Sequence, residues 1–149
     1  MIAVVGFFEF LIFGTWTPTT EDPYAREYYK QFNEAPMMAF NTSLSPPVSA
    51  YHALLIALED NGWNSTSLKD IAIRVELYYC AYTEMQFFQV IQNVTSSPTD
   101  WYPQQIGNVT HGYVWIISLE RTLPHSIPHA GEYFVDAATA ELLHFPIFL

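Results

Sequence analysis

The stretch DIAIRVELYYCAY, residues 70–82, constrains the fold of this chain most strongly. Apolar side chains occupy every second position from Ile71 to Ala81, while Arg74 and Glu76 fall on the intervening positions. Because successive side chains of a strand point to opposite faces, this period of two predicts a long β-strand with one wholly apolar face. Such a face needs a cover, so the pattern predicts a sheet that is covered on one side.

The stretch before it, SPPVSAYHALLIALEDNGW, predicts an amphipathic helix over about residues 48–60. Ser45 or Ser49 can cap its start, and the Pro46–Pro47 pair suits a first turn. The Asn61–Gly62 pair is a typical helix end. The apolar stripe consists of Ala50, Tyr51, Leu54, Leu55, Ala57 and Leu58. We expect this stripe to lie across the apolar face of the sheet.

Further patterns extend the sheet. Strands are predicted within residues 84–95, 113–120 and 131–145, the last with a tight turn at Asp136–Thr139. We predict a short helix at about 22–33, irregular chain over 35–47, and loops over 96–112 and 121–130. Helices followed by a run of antiparallel strands indicate an α+β fold, with an amphipathic helix packed on an antiparallel β-sheet.

The chain opens with a nearly unbroken apolar run, MIAVVGFFEFLIFGTW, which contains one carboxylate, Glu9. It lacks the basic start of a secretion signal. It is also shorter than the about twenty residues that span a bilayer, where Glu9 would be costly. A strand would present a continuous apolar face of Ile2, Val4, Phe8, Phe10, Ile12 and Trp16. We predict that this assembly or anchor segment packs against protein, with an anchor or uncleaved signal as alternatives.

A linker rich in threonine and proline follows the apolar run. We therefore expect an apolar N-terminal segment with its linker at 1–20 and a single domain at 21–149.

Charge and composition restrict the partners. The formal net charge is −10, which repels nucleic-acid phosphates, and only 13% of the residues are charged. Four of the six asparagines begin Asn-x-Ser/Thr triplets, namely Asn41, Asn64, Asn93 and Asn108. Four such triplets predict an exported protein with N-linked glycans, which would keep a charge-poor surface soluble. A membrane contact is expected only through residues 2–16.

The helix, the strands and the closing stretch GEYFVDAATAELL together resemble the PepSY family over about residues 48–144. The family's closing motif VDA-x-TGE is matched by Val135, Asp136, Ala137, Thr139 and Glu141, and its strand tryptophan by Trp115. The chain departs from the family at Ala140, where a glycine is usual, and in a long insert over about residues 82–110. The resemblance implies a non-catalytic binding domain outside the cytoplasm, of a kind also known in protease propeptides. Triplets of this kind on a disulfide-free exported domain are more typical of an archaeal than of a bacterial protein.

We find no pattern that predicts an enzyme, a metal site or a cofactor. His125 and His129 are four residues apart, but Pro124 and Pro128 disfavour the helix that would align them. Cys80 is interpreted as a small buried side chain, with an interchain disulfide or a reactive thiol as alternatives. Asp136, which with Glu141 would make a candidate acid pair, is interpreted as a turn former.

These observations predict a non-enzymatic, exported, N-glycosylated PepSY-like domain that acts through protein–protein interaction at the cell surface. One alternative is a structural subunit of an extracellular filament or surface assembly, in which residues 2–16 pack into a neighbouring subunit. Another is a protease-inhibitory module similar to a propeptide. The expected partner is a protein or a second copy of the chain.

Overall fold

The computed structural model describes residues 37–40, 42–62, 68, 71–84, 87–121 and 131–145. The predicted helix at 22–33, the apolar segment 2–16 and most of the predicted loop at 121–130 lie outside these residues. The described elements are β1 (Met37–Phe40), α1 (Ala50–Asp60), β2 (Ile71–Thr83), β3 (Phe87–Asn93), β4 (Gln104–Ile106), β5 (Val109–Arg121), β6 (Gly131–Asp136) and β7 (Leu142–Leu143).

The sheet is built around two long antiparallel strands, β2 and β5. They pair without interruption from Ile71 opposite Arg121 to Tyr82 opposite Thr110. On the other side of β5, β4 pairs with residues 109–111 and β6 pairs with residues 114–119. The strand β7 pairs with β6. On the outer side of β2, β1 pairs with its first half in parallel, and β3 pairs with its second half in antiparallel.

The helix α1 begins and ends where its capping residues require. The Ser49 hydroxyl accepts a hydrogen bond from the backbone N–H of His52 at 3.1 Å, which makes Ser49 the N-cap. The predicted role of the Pro46–Pro47 pair in the first turn is wrong, because both prolines precede this cap. Asn61 is the C-cap, and Gly62 follows it with φ +84°, as the sequence predicted.

The helix covers one face of the sheet, as expected. Its buried side chains are Tyr51, Ala53, Leu54, Leu55, Ala57 and Leu58. They share one core with inward-facing residues of the sheet, which include Ile73, Val75, Leu77, Trp115, Ile117, Leu119 and Val135. Removal of this apolar surface from water stabilises the fold by roughly 25 cal/mol for each Å² buried.

Trp115 fastens the chain before the helix to the sheet. Its indole Nε1–H donates a buried hydrogen bond of 2.8 Å to the backbone carbonyl of Val48. The backbone N–H of Val48 donates in turn to the carbonyl of Ala137 at 2.9 Å. The residue that precedes the helix cap is thus tied both to β5 and to the turn after β6. We call these two hydrogen bonds the Val48 clamp.

The second face of the sheet is also covered at one end, which the sequence did not predict. Four rings lie together there with centroid separations of 4.6–6.5 Å, and we call them the aromatic cluster: Tyr82, Phe88, Phe134 and Phe145. Cys80 and Val114 are fully buried beneath this face. Toward the start of β2, on this same face, Arg74 is exposed.

Two predictions on secondary structure were wrong. Residues 37–40 were expected to be irregular and form β1, the one parallel strand among those described. Residues 104–106 were expected in a loop and form β4, which joins β5 through the two-residue turn Gly107–Asn108. Over the described residues the architecture is a mostly antiparallel sheet with one short helix, which is compatible with the α+β class.

The Val48 clamp generates a stability prediction. Trp115→Phe keeps an aromatic ring but loses the indole donor to the buried Val48 carbonyl. We expect it to lower the free energy of unfolding by about 2–4 kcal/mol, measured by urea unfolding followed by circular dichroism. Trp101→Phe is the matched control, because Trp101 is half-buried against Tyr113 and should lose clearly less. Equal losses in the two variants would contradict the role of the clamp.

Candidate functional site

The turn between β6 and β7, which we call the closing turn, is organised by Asp136. Its carboxylate Oδ1 accepts hydrogen bonds from the backbone N–H groups of Ala138 and Thr139, at 2.8 and 2.9 Å. Its backbone carbonyl accepts from Ala140 and its N–H donates to the carbonyl of Glu141. Asp136 is 2% exposed. The prediction that Asp136 forms a turn by bonding its own backbone is therefore confirmed.

Tyr82 approaches the same carboxylate on the same face of the sheet, across the strand β5. Its hydroxyl hydrogen-bonds Asp136, and burial, with the nearby Asp136 and Glu141 carboxylates, raises the pKa of Tyr82 well above its usual 10. Gly112 of the intervening strand makes room for this contact. A Cβ atom there would lie 3.2 Å from Cβ of Pro103 and 3.5 Å from the Tyr82 hydroxyl.

An open cleft of about 450 Å³ lies beside the closing turn and the aromatic cluster. We call it the acidic cleft. Its walls are Tyr82, Glu84, Pro103, Thr110, Asp136, Glu141, Leu142, Leu143, His144 and Phe145. Glu84 and Glu141 are exposed, whereas the Asp136 carboxylate is held by the closing turn. Two exposed carboxylates beside aromatic rings favour a cationic group, such as a Lys or Arg side chain.

Sequence reasoning did not find this cleft. The sequence pattern predicts a turn at Asp136 and matches Glu141 to the PepSY motif, but it assigns no role to Tyr82, Glu84 or His144. The walls come from four separate parts of the chain, and no local pattern brings them together. The only signal available was the acidic balance of the whole sequence.

The residues that matched the PepSY motif lie in the core or in the closing turn. Trp115, Val135 and Ala137 are buried in the core beneath α1. Thr139 and Glu141 are exposed in and after the closing turn, where the Thr139 hydroxyl accepts from the Glu141 backbone N–H at 3.3 Å. Three of these five residues therefore build the core and two belong to the closing turn and its end, and of the five Glu141 lines the acidic cleft.

Ala140 has φ +70°, in the left-handed region that favours glycine. This is the position at which the PepSY motif usually has glycine. The closing turn thus takes the conformation that glycine would permit, with a Cβ atom present at a cost of roughly 1–2 kcal/mol.

Two of the four predicted glycosylation sites fall on described residues, and both are exposed. Asn93 ends β3, and Asn108 is the second residue of the turn between β4 and β5. Gly107 before it has φ +67°, which matches a two-residue hairpin turn with glycine at its first position. Asn41 and Asn64 lie outside the described residues.

The remaining candidate groups of the sequence are histidines and the carboxylates that could bind a metal. No group of three or more His, Cys, Asp or Glu side chains there could hold a metal ion. His125 and His129 lie outside it. His111 packs edge-on against Tyr79, with centroids 6.2 Å apart. Within the same residues, no helix has the length and apolar character needed to cross a bilayer.

Cys80 is free and fully buried, so a partner chain has no access to its thiol in the folded state. Burial raises the pKa of Cys80 from 9.0 to about 12. The thiolate, which is the reactive form, is therefore suppressed near neutral pH.

Comparison of the chain with family models, with curated proteins and with solved structures gives no match.

The strained turn residue generates a prediction. Ala140→Gly should raise the free energy of unfolding by about 0.5–1 kcal/mol, because relief of the left-handed alanine outweighs the extra chain entropy of glycine. Ala138→Gly is the matched control in the same turn. Ala138 is buried and has no positive φ, so its replacement should destabilise the fold. Thermal and urea unfolding measure both, and destabilisation by Ala140→Gly would contradict the assigned conformation.

Burial of Cys80 predicts a loss of stability at alkaline pH. Its pKa is raised in the folded state, so the stabilisation is complete below pH 9 and is lost as pH rises toward 12. By about pH 10 this group alone should cost about 1.4 kcal/mol. Cys80→Ala should lack this slope between pH 8 and 10, measured by urea unfolding at each pH. Equal slopes in both proteins would show that the thiol is not buried.

Proposed function

We propose that this chain is an exported, N-glycosylated, non-enzymatic domain of PepSY type that acts through protein–protein interaction at the cell surface. The observation that carries the proposal is the exposure of Asn93 and Asn108, the two acceptor triplets within the described residues. Each lies where a sugar meets no packing obstacle, at a strand end and in a hairpin turn. Glycans there would supply the solubility that a surface poor in charge lacks.

The geometry of the closing turn supports the PepSY type. The turn begins with a buried aspartate, and Ala140 takes the left-handed conformation at the position of the family's glycine. The strand tryptophan, Trp115, lies in the core beneath α1. These features suit a fold in which the motif residues build the scaffold rather than perform chemistry.

The acidic cleft supports a protein partner with basic side chains. Exposed Glu84 and Glu141 attract a cation, and the rings of Tyr82 and Phe145 offer faces on which it can pack. A net charge of −10 favours the approach of a basic surface from a distance.

The second candidate is a structural subunit of an extracellular assembly, and the edge strand β3 favours it. Phe87, Val90 and Ile91 are exposed there, and the strand contains no charged residue or proline. An edge of this kind can accept a strand from a neighbouring subunit. Residues 2–16, with their continuous apolar face, would supply that strand.

Peptide mapping of native material tests the proposal. We expect sugar at Asn93 and Asn108 and recovery of the protein outside the cytosol. Absence of sugar at all four triplets, together with fractionation in the cytosol, would overturn it.

Sizing of the same full-length protein separates the two candidates. If residues 2–16 join subunits through their apolar face, Phe8→Lys with Ile12→Lys should reduce a large species to monomer. Glu9→Lys is the control, because residue 9 lies on the opposite face of that predicted strand. A wild type that is already monomeric excludes the assembly.

A further inference from the structure

The outer edge of β3 lacks two of the protections that edge strands often have, which are charged residues and proline. Residues Phe87–Asn93 contain no charged side chain and no proline, and Phe87, Val90 and Ile91 are 39%, 42% and 46% exposed. Among the described residues, β3 pairs with β2 alone. Uncharged strands of this composition tend to pair with further copies, so natural proteins blunt such edges.

A β-bulge in this strand changes the direction of Asn93. Val90 lies opposite Cys80 and Gln92 opposite Tyr79, which leaves Ile91 as an extra, unpaired residue. In a regular strand, residues 90 and 93 would point to opposite faces. The bulge instead places Asn93 opposite Tyr78, on the same face as Val90.

We infer that an N-linked glycan on Asn93 covers the exposed apolar edge of β3 and prevents this strand from pairing with a second copy of the chain. Asn93 and Val90 are two paired positions apart on one face, or ~7 Å along the strand. Asn93 and the triplet's Thr95 are both exposed. A glycan is bulky and hydrated, so it hinders a strand that approaches this edge. The inference rests on the proposed export and glycosylation.

The modification needs a co-substrate of one chemical class, an oligosaccharide activated as a phosphate-linked glycoside. The Nδ2 atom of Asn93 forms a bond to the anomeric carbon, and the bond between that carbon and the phosphate oxygen breaks. The phosphate group leaves with the bonding electrons, and the proton lost by the amide nitrogen passes to the leaving phosphate, directly or through water. No oxidation or reduction is involved.

Asn108 provides a matched comparison within the same protein. It is also exposed and also begins an acceptor triplet, but it lies in the hairpin turn between β4 and β5. In the sheet, β4 is on the side of β5 away from β2, so Asn108 is far from the free edge of β3. Loss of sugar there removes a glycan without uncovering that edge.

The experiment compares full-length variants produced in a host that attaches N-glycans. Asn93→Gln and Thr95→Ala each abolish the triplet of residues 93–95, and Thr95→Ala leaves the Asn93 side chain in place. Asn108→Gln is the control. It is preferable to a change at Thr110, whose hydroxyl donates to Gln105 Oε1 at 2.9 Å. Mass spectrometry measures occupancy, and light scattering with size exclusion measures mass over a range of concentrations.

We expect Asn93→Gln and Thr95→Ala to reach roughly twice the wild-type mass or more as concentration rises. Asn108→Gln should behave as the wild type. Hydrogen exchange should slow over residues 87–93 in the associated species. A charge on the edge, Val90→Lys in the Asn93→Gln background, should restore the wild-type mass.

The possible failures are distinguishable. Absence of sugar at every triplet overturns this inference and, if native material also lacks sugar and fractionates with the cytosol, the proposed function as well. Sugar at Asn108 but not at Asn93 overturns the inference and leaves the function standing. If Asn93 is occupied and its two variants keep the wild-type mass while folded by circular dichroism, the inference is wrong. It is equally wrong if Asn108→Gln associates to the same extent, or if Val90→Lys has no effect.

Discussion

The structure depends on one buried indole hydrogen bond more than on any other polar contact. Trp115 Nε1 donates to the carbonyl of Val48, and the N–H of Val48 donates to Ala137. The first contact joins the start of the helix to a central strand, and the second joins it to the closing turn. Buried backbone groups need such partners, because desolvation without a hydrogen bond is costly. The start of the helix is thereby held over one face of the sheet.

The closing turn, to which Val48 is bonded, also borders the acidic cleft. The Asp136 carboxylate accepts hydrogen bonds from two backbone N–H groups of its turn and interacts with the Tyr82 hydroxyl. These contacts hold it in the closing turn. The exposed Glu84 and Glu141 are left to meet solvent or a partner. A site of this composition favours a cationic group that packs on the rings beside the carboxylates. This division of roles among the carboxylates supports binding as the proposed function.

The charge-poor surface connects the proposed function with the edge of the sheet. Only 13% of the residues are charged, and the strand β3 exposes apolar side chains without a single charge of its own. Charged side chains are one of the means by which edge strands avoid association. In this chain a bulge places the exposed Asn93 on the face of Val90, and the proposed glycan on Asn93 would take that role.

The sequence by itself determined the elements whose signals are local. Alternation with a period of two predicted β2 and the core of β5, the apolar stripe and Gly62 predicted α1 and its end, and Asp136 predicted the closing turn. Each signal lies within about fifteen neighbouring residues, so a linear reading captures it. The exposed acceptor sites Asn93 and Asn108 were also readable, since an acceptor triplet is a local motif.

Only the tertiary structure decided the rest. The strand β1 exists because it pairs with β2 more than thirty residues later in the chain, and its four residues carry no pattern of their own. The aromatic cluster and the acidic cleft assemble from separate strands. The bulge at Ile91 depends on the register between β2 and β3. The bulge in turn puts Asn93 on the same face as Val90. Contacts between distant residues fix these features, and a single sequence does not record which distant residues will meet.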